Sequence, residues 1–72
     1  MDTLEFLGQR IRSLRIEKDK KQRELAEFLG MSLRNYQRFE HGDINLPALT
    51  LCTLADYFGV STDYLLGRTE ER

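Results

Sequence analysis

Arg34 and Arg38 stand four residues apart in the stretch SLRNYQRFEHG, residues 32–42, with Gln37 beside Arg38 and Tyr36 and Phe39 interleaved. Residues four apart share a helix face, so the two guanidiniums point one way and the two aromatics roughly the other. A guanidinium is a planar fork of donors that suits a phosphate or the O6 and N7 acceptors of guanine, while a glutamine amide suits adenine. The competing reading is a helix that buries its aromatic stripe and leaves its charged side solvated. Other chemistries find less material. With one cysteine, Cys52, and one histidine, His41, the chain has no intramolecular disulfide and cannot assemble a zinc set. There is no nucleophile–base pair, no cluster of carboxylates and no phosphate-cradling glycine loop, so neither an enzyme nor a cofactor is expected. Cys52 is expected to serve as buried or half-buried packing. His41 falls at a helix C-terminus, where a cation is favoured.

The chain has 72 residues, 40% hydrophobic and 32% charged, which allows one small domain with a single core. No apolar run approaches a membrane span and the N-terminus lacks a signal-peptide pattern, so a soluble, cytoplasmic domain is expected. The formal net charge of −1 hides an asymmetry: residues 1–42 carry nine Lys/Arg against seven Asp/Glu, and residues 43–72 carry two against five. Between Arg10 and Arg38 nine basic residues face four acidic ones. A basic surface is therefore available on an acidic chain, and a polyanion responds to the local field more than to the total.

Five helical segments can position these residues. In the first, about Thr3 to Lys18, Leu4, Leu7, Ile11 and Leu14 follow helical spacing, with Thr3 as N-cap and Glu5 in the first turn. The second, about Lys20 to Leu29, has apolar Leu25, Ala26, Phe28 and Leu29; Asp19 with Gln22 resembles a capping box, and Gly30 stops the helix. The third runs from Leu33 to His41 between Ser32 and Gly42. The fourth, about Ala48 to Phe58, carries Leu51, Leu54, Ala55 and Phe58, has Pro47 where a first-turn proline is tolerated, and ends at Gly59 with Val60 beyond it. The fifth is Thr62 to Leu66, between Ser61 and Gly67, with Leu65 expected inside and the sides of Tyr64 and Leu66 left open. No period-two alternation or hairpin signal appears. The expectation is an all-α, compact five-helix bundle forming one domain over residues 1–72, with its core at about 4–67 and a short polar tail at 68–72.

The second and third segments meet through Gly30-Met31-Ser32, a short glycine-containing turn of the helix-turn-helix kind. Gln22-Arg23-Glu24-Leu25-Ala26, Gly30-Met31-Ser32, Glu40-His41-Gly42, Leu46-Pro47, Leu54-Ala55, Gly59-Val60-Ser61 and Asp63-Tyr64-Leu65-Leu66-Gly67 follow one another in a familiar order. Over about residues 4–67 the chain resembles the phage-repressor and Cro type of helix-turn-helix domain, the XRE family. The resemblance implies a lambda-repressor-like fold whose third helix enters the DNA major groove with its N-terminal residues at base edges.

That resemblance places base-reading side chains at Leu33, Arg34, Gln37 and Arg38. Leu33 departs from a commonly polar position; it either touches a thymine methyl or packs at the turn. Gln22 matches a glutamine that contacts the DNA backbone and orients the recognition helix. Arg23, Asn35 and Asn45 are the other candidate backbone contacts. Lys20 replaces a commonly apolar residue and Asp19 a common glycine, so the turn after the first helix is expected to differ locally. Tyr36 takes a position usually filled by an aliphatic core residue, with its hydroxyl left to reach the surface or a phosphate. In the family an arginine of the first helix pairs with the glutamate ending the third, which assigns Arg15 and Glu40 a structural ion pair. The implied partners are double-stranded DNA and a second copy of the chain, with no membrane and no small-molecule ligand. The implied function is a DNA-binding transcriptional regulator, a repressor for preference, nucleoid-associated when bound. The alternative is a protein-interaction module, such as an antitoxin or adaptor. Nothing beyond residue 67 resembles an effector-binding domain, so a complete chain of this length is expected to act through its own concentration.

Overall fold

In a computed structural model that describes residues 2–72, the helical periodicities become α1 (Thr3–Glu17), α2 (Gln22–Leu29), α3 (Leu33–His41), α4 (Ala48–Phe58) and α5 (Thr62–Leu65), with no strand among the described residues. The differences from expectation lie at the helix ends. Asp2, rather than Thr3, caps α1: its Oδ1 accepts from the Glu5 N–H at 2.8 Å. At the other end Asp19 takes the left-handed conformation itself, with φ of 57°, and Lys20 N–H returns to the Arg15 carbonyl at 3.0 Å. Aspartate tolerates that region better than most side chains, so it does here what glycine does elsewhere.

The expected box between Asp19 and Gln22 does not form, because Asp19 belongs to the end of α1. Lys21 is the N-cap of α2, and its backbone N–H donates to Glu24 Oε1 at 3.1 Å. An ammonium has no lone pair with which to accept the reciprocal bond, so only half of a capping box exists. The turn into α3 is tighter. Gly30 is left-handed with φ of 69°, Met31 N–H donates to the Ala26 carbonyl at 2.9 Å, and Ser32 Oγ accepts from Asn35 N–H at 3.1 Å. Pro47 stands at the N-cap of α4, one residue before the first turn.

The core is built from Leu7, Ile11 and Leu14 of α1, Leu25 and Ala26 of α2, Tyr36 and Phe39 of α3, Leu54 and Ala55 of α4, and Tyr64 and Leu65 of α5. Leu66 is half-buried. Cys52, expected as packing, and the apolar Phe28 both fall outside the core. Cys52 is exposed, and so is Phe28, whose ring instead lies 4.6 Å from that of Tyr57. Residues 68–72 turn back over α1. Arg72 reaches Glu17, Arg10 reaches Glu70, and Ser61 N–H donates to the Arg72 carbonyl at 3.0 Å. The Arg10 guanidinium also lies over Tyr64, 3.9 Å from the ring centre, on its way to Glu70.

What fixes α3 against α1 is Gly8. A Cβ there would lie 2.4 Å from the Glu40 carbonyl oxygen and 2.8 Å from that of Phe39, both backbone atoms that cannot swing aside. The glycine lets the two helices touch backbone to backbone, and Arg15, seven residues on and so two turns away on nearly the same face, is brought to the end of α3. Gly8→Ala is expected to destabilise the protein by about 1–3 kcal/mol, as overpacking does. On an open helix face the same change would stabilise by about 1 kcal/mol. Urea unfolding of the two proteins decides between the signs.

Candidate nucleic-acid interface

At the end of α3 Glu40 is a buried carboxylate with 6% of its surface exposed, next to Arg15 at 9%. Arg15 Nε donates to Glu40 Oε2 at 2.7 Å, and Arg15 Nη2 donates to Oε1 at 3.2 Å, the bidentate fork that a guanidinium makes with a carboxylate. Arg15 Nη1 donates to the Lys20 carbonyl at 2.9 Å, so the same side chain also holds the turn between α1 and α2. Two further donors converge on Glu40: the Tyr36 hydroxyl on Oε2 and Gln22 Nε2 on Oε1 at 3.2 Å. Four donors thus occupy the roughly four lone-pair sites of the carboxylate, and among the described residues no buried side-chain nitrogen or oxygen lacks a partner. The hydrogen bond from Arg15 to Glu40 raises the guanidinium's pKa above its ordinary value. Burial, then the hydrogen bond to Glu40, raises the Tyr36 hydroxyl well above the usual tyrosine range.

From this anchor the candidate reading face extends outward. Arg34, Gln37 and Arg38 are exposed on α3 and Leu33 is half-buried at its first turn. The spacing puts Leu33 with Gln37 and Arg34 with Arg38 in adjacent columns of one helix face. Gln37 Nε2 donates to Gln22 Oε1 at 3.1 Å, joining the outer face to the buried carboxylate through one amide. Arg23 is exposed on the first turn of α2 and Asn35 on that of α3. Asn45 lies apart from these in the loop after α3, its Oδ1 accepting from Leu46 N–H at 2.9 Å. The Tyr36 hydroxyl reaches neither surface nor solvent; it turns inward to Glu40. Its spacing of four from Glu40 was the available signal. The bonds from Gln22 to Glu40 and Gln37 span 18 and 15 residues, and nothing local in the sequence announces them. Among the described residues no three His, Cys, Asp or Glu side chains are grouped to hold a metal, and no helix is long and apolar enough to cross a membrane.

Two capped helices joined by a left-handed glycine, the second locked at its far end and polar on its outer face, define a helix-turn-helix domain. The chain belongs to that family: the family model described as helix-turn-helix matches residues 11–65. It is 37% identical over 64 residues to the SPbeta prophage-derived uncharacterized HTH-type transcriptional regulator YonR of Bacillus subtilis (strain 168), a match covering 89% of this chain and 59% of the relative. It is 36% identical over 64 residues to the HTH-type transcriptional regulator ImmR of the same organism, covering 89% of this chain and 50% of that one. The chain spans about half to three fifths of the length of these curated relatives.

Arg15→Ala leaves the Glu40 carboxylate buried without its counter-ion and is expected to cost about 3–5 kcal/mol in urea unfolding. Retention of full stability would remove the pair from its structural role. Tyr36→Phe deletes a hydrogen bond to a charged group and should cost about 1.5–3 kcal/mol near neutral pH. The pH dependence follows from linkage. The folded protein holds the Tyr36 proton where the unfolded chain begins to release it, near pH 10, so this contribution is complete below about pH 10 and falls by about 1.4 kcal/mol per unit above it. Unfolding free energies of the wild type and Tyr36→Phe, compared at pH 8 and pH 11, should therefore converge at the higher pH.

Proposed function

We propose that the chain is the sequence-specific, double-stranded DNA-binding domain of a transcriptional regulator, acting as a cytoplasmic repressor. Two copies bind a two-fold operator, each laying α3 in the major groove, with half-sites about one helical turn (~34 Å) apart. Leu33, Arg34, Gln37 and Arg38 face the base edges, while Gln22, Arg23, Asn35 and Asn45 serve the phosphates. Occlusion of a promoter is the mode of repression that needs the fewest additional parts. The family and the names of its relatives, both transcriptional regulators, support the general reading.

The observation that carries it is how the arginines are paired. Arg10 meets Glu70 and Arg72 meets Glu17, each at 3.0 Å, and Arg15 meets Glu40 at 2.7 Å. Arg23, Arg34 and Arg38 are exposed, and among the described residues none has a carboxylate at ion-pair distance. Of the arginines on α1, Arg10 and Arg15 are thus neutralised and Arg12 stays exposed and unpaired among the described residues, whereas all three on α2 and α3 remain available to an outside anion. A protein-interaction module is the second reading, favoured by Leu49, 80% exposed on α4, and by Phe28, 49% exposed on α2. The same apolar surface also suits the pairing of two copies.

Selection from a random DNA pool followed by gel shifts at two salt concentrations tests the proposal. One enriched two-fold sequence is expected, bound with an affinity that falls steeply with salt. Arg34→Ala and Arg38→Ala should each weaken it by about 1–3 kcal/mol while circular dichroism stays unchanged. Unaltered affinity in both variants would remove α3 as the reading face, and the absence of any enriched sequence would favour the interaction module.

A further inference from the structure

We propose that Gln22 and Glu40 preset the side-chain amide of Gln37, so that this residue reads a base carrying an amino donor in the major groove, adenine above all. The inference rests on the DNA-binding reading above and deepens it, since it assigns one base preference to one residue and names what enforces it.

The direction of each hydrogen bond follows from the one before. Glu40 is buried and, held by Arg15, accepts on both oxygens; it has no proton to give. The Gln22 atom 3.2 Å from Glu40 Oε1 must therefore be its amide nitrogen. That orientation leaves the Gln22 oxygen turned towards α3, where it can only accept. The Gln37 atom 3.1 Å from it must then be a nitrogen. A free glutamine turns its amide over at little cost and offers oxygen or nitrogen to a partner with equal ease. Gln37 does not have that freedom. Reversing its amide would place oxygen against oxygen at Gln22, and reversing both amides would place the Gln22 oxygen against the buried carboxylate.

One hydrogen of the Gln37 nitrogen is committed to Gln22, which leaves the Gln37 oxygen and the second amide hydrogen on the exposed side of α3. That acceptor–donor pair complements adenine, whose N6 amino group donates and whose N7 accepts. Guanine and thymine present O6 and O4 there, acceptors that would meet the fixed oxygen of Gln37. In these terms Gln22 and Glu40 are positioning residues, and Gln37 is the residue that touches the base.

The experiment is selection from a random double-stranded DNA pool by the full chain, scored as relative base frequencies at each operator position. Gln37→Ala locates the position that Gln37 reads. There the wild type should prefer adenine on the order of tenfold over guanine and thymine. Gln22→Met, with Gln22→Ala as the smaller substitution, should flatten that single position to about twofold or less and leave the positions specified by Arg34 and Arg38 as they were. Loss of a phosphate contact at Gln22 would lower affinity for all sequences alike, so the relative preference at one position isolates the positioning role. Circular dichroism and thermal unfolding verify that the variants remain folded. An unchanged preference in both Gln22 variants overturns the proposal. So does a guanine or thymine preference at the Gln37 position, or a Gln37→Ala profile identical to that of the wild type. Failure of the wild type to enrich any sequence would instead overturn the DNA-binding reading on which this rests.

Discussion

A carboxylate buried at the end of α3 is a severe constraint, because an ionised group taken out of water must be met by donors from several directions at once. Glu40 meets it with Arg15 from α1, Gln22 from α2 and Tyr36 from its own helix. Those three contacts require α1, α2 and α3 to come together at one point, and the requirement propagates. The backbones of α1 and α3 must touch, which Gly8 permits, and the turn after α1 must present the Lys20 carbonyl to the third arm of Arg15. The angle between α2 and α3 is thereby held from the inside by polar bonds. A small hydrophobic core by itself tolerates sliding between packed helices. A saturated carboxylate does not, since any slip leaves a charge short of a donor.

This constraint also organises the charge of the molecule. Arg15 is consumed by the interior, while Arg10 and Arg72 are taken up by Glu70 and Glu17 as residues 68–72 fold back over α1. The exposed pairs contribute little to stability, on the order of 0–1 kcal/mol each. Their consequence is electrostatic. Of the four arginines left unpaired among the described residues, Arg12 lies on α1 and Arg23, Arg34 and Arg38 on α2 and α3, so a chain of net charge −1 keeps most of its unpaired guanidiniums on the helices proposed to meet DNA. On the function proposed here, that arrangement orients approach to a polyanion even though the whole chain is weakly acidic.

Much of this was legible in the sequence, because helical spacing is a local property. All five helices lie where the apolar periodicity and the Ser32, Ser61, Gly30 and Gly59 signals put them. The misplacements have physical reasons. Asp2 outcompetes Thr3 as cap because an aspartate carboxylate one residue earlier reaches the Glu5 N–H. Asp19 looks like an N-cap until its left-handed backbone shows that it terminates the preceding helix. The general habits of cysteine point Cys52 to packing, yet it is exposed. The stripe of Leu51, Leu54, Ala55 and Phe58 already pointed elsewhere, since Cys52 lies about a quarter turn or more off its centre. Phe28 is off the Leu25, Ala26 and Leu29 face of α2 in the same way, and its exposure follows.

The part of the site that periodicity cannot reach is the route from Glu40 through Gln22 to Gln37, and Leu33 helps explain why it takes that course. Gln22 has one amide: its nitrogen is claimed by Glu40, so its oxygen needs a donor from α3. At the first turn of α3 the side chain available is Leu33, half-buried and unable to donate. One turn further along the same column stands Gln37, which can, and the bond forms there at 3.1 Å. A leucine on the proposed reading edge is thus compatible with a polar face because the polar connection to the interior is made four residues along the helix, at Gln37. The residue with no hydrogen bond of its own to offer leaves Gln37 as the glutamine whose orientation the buried carboxylate controls.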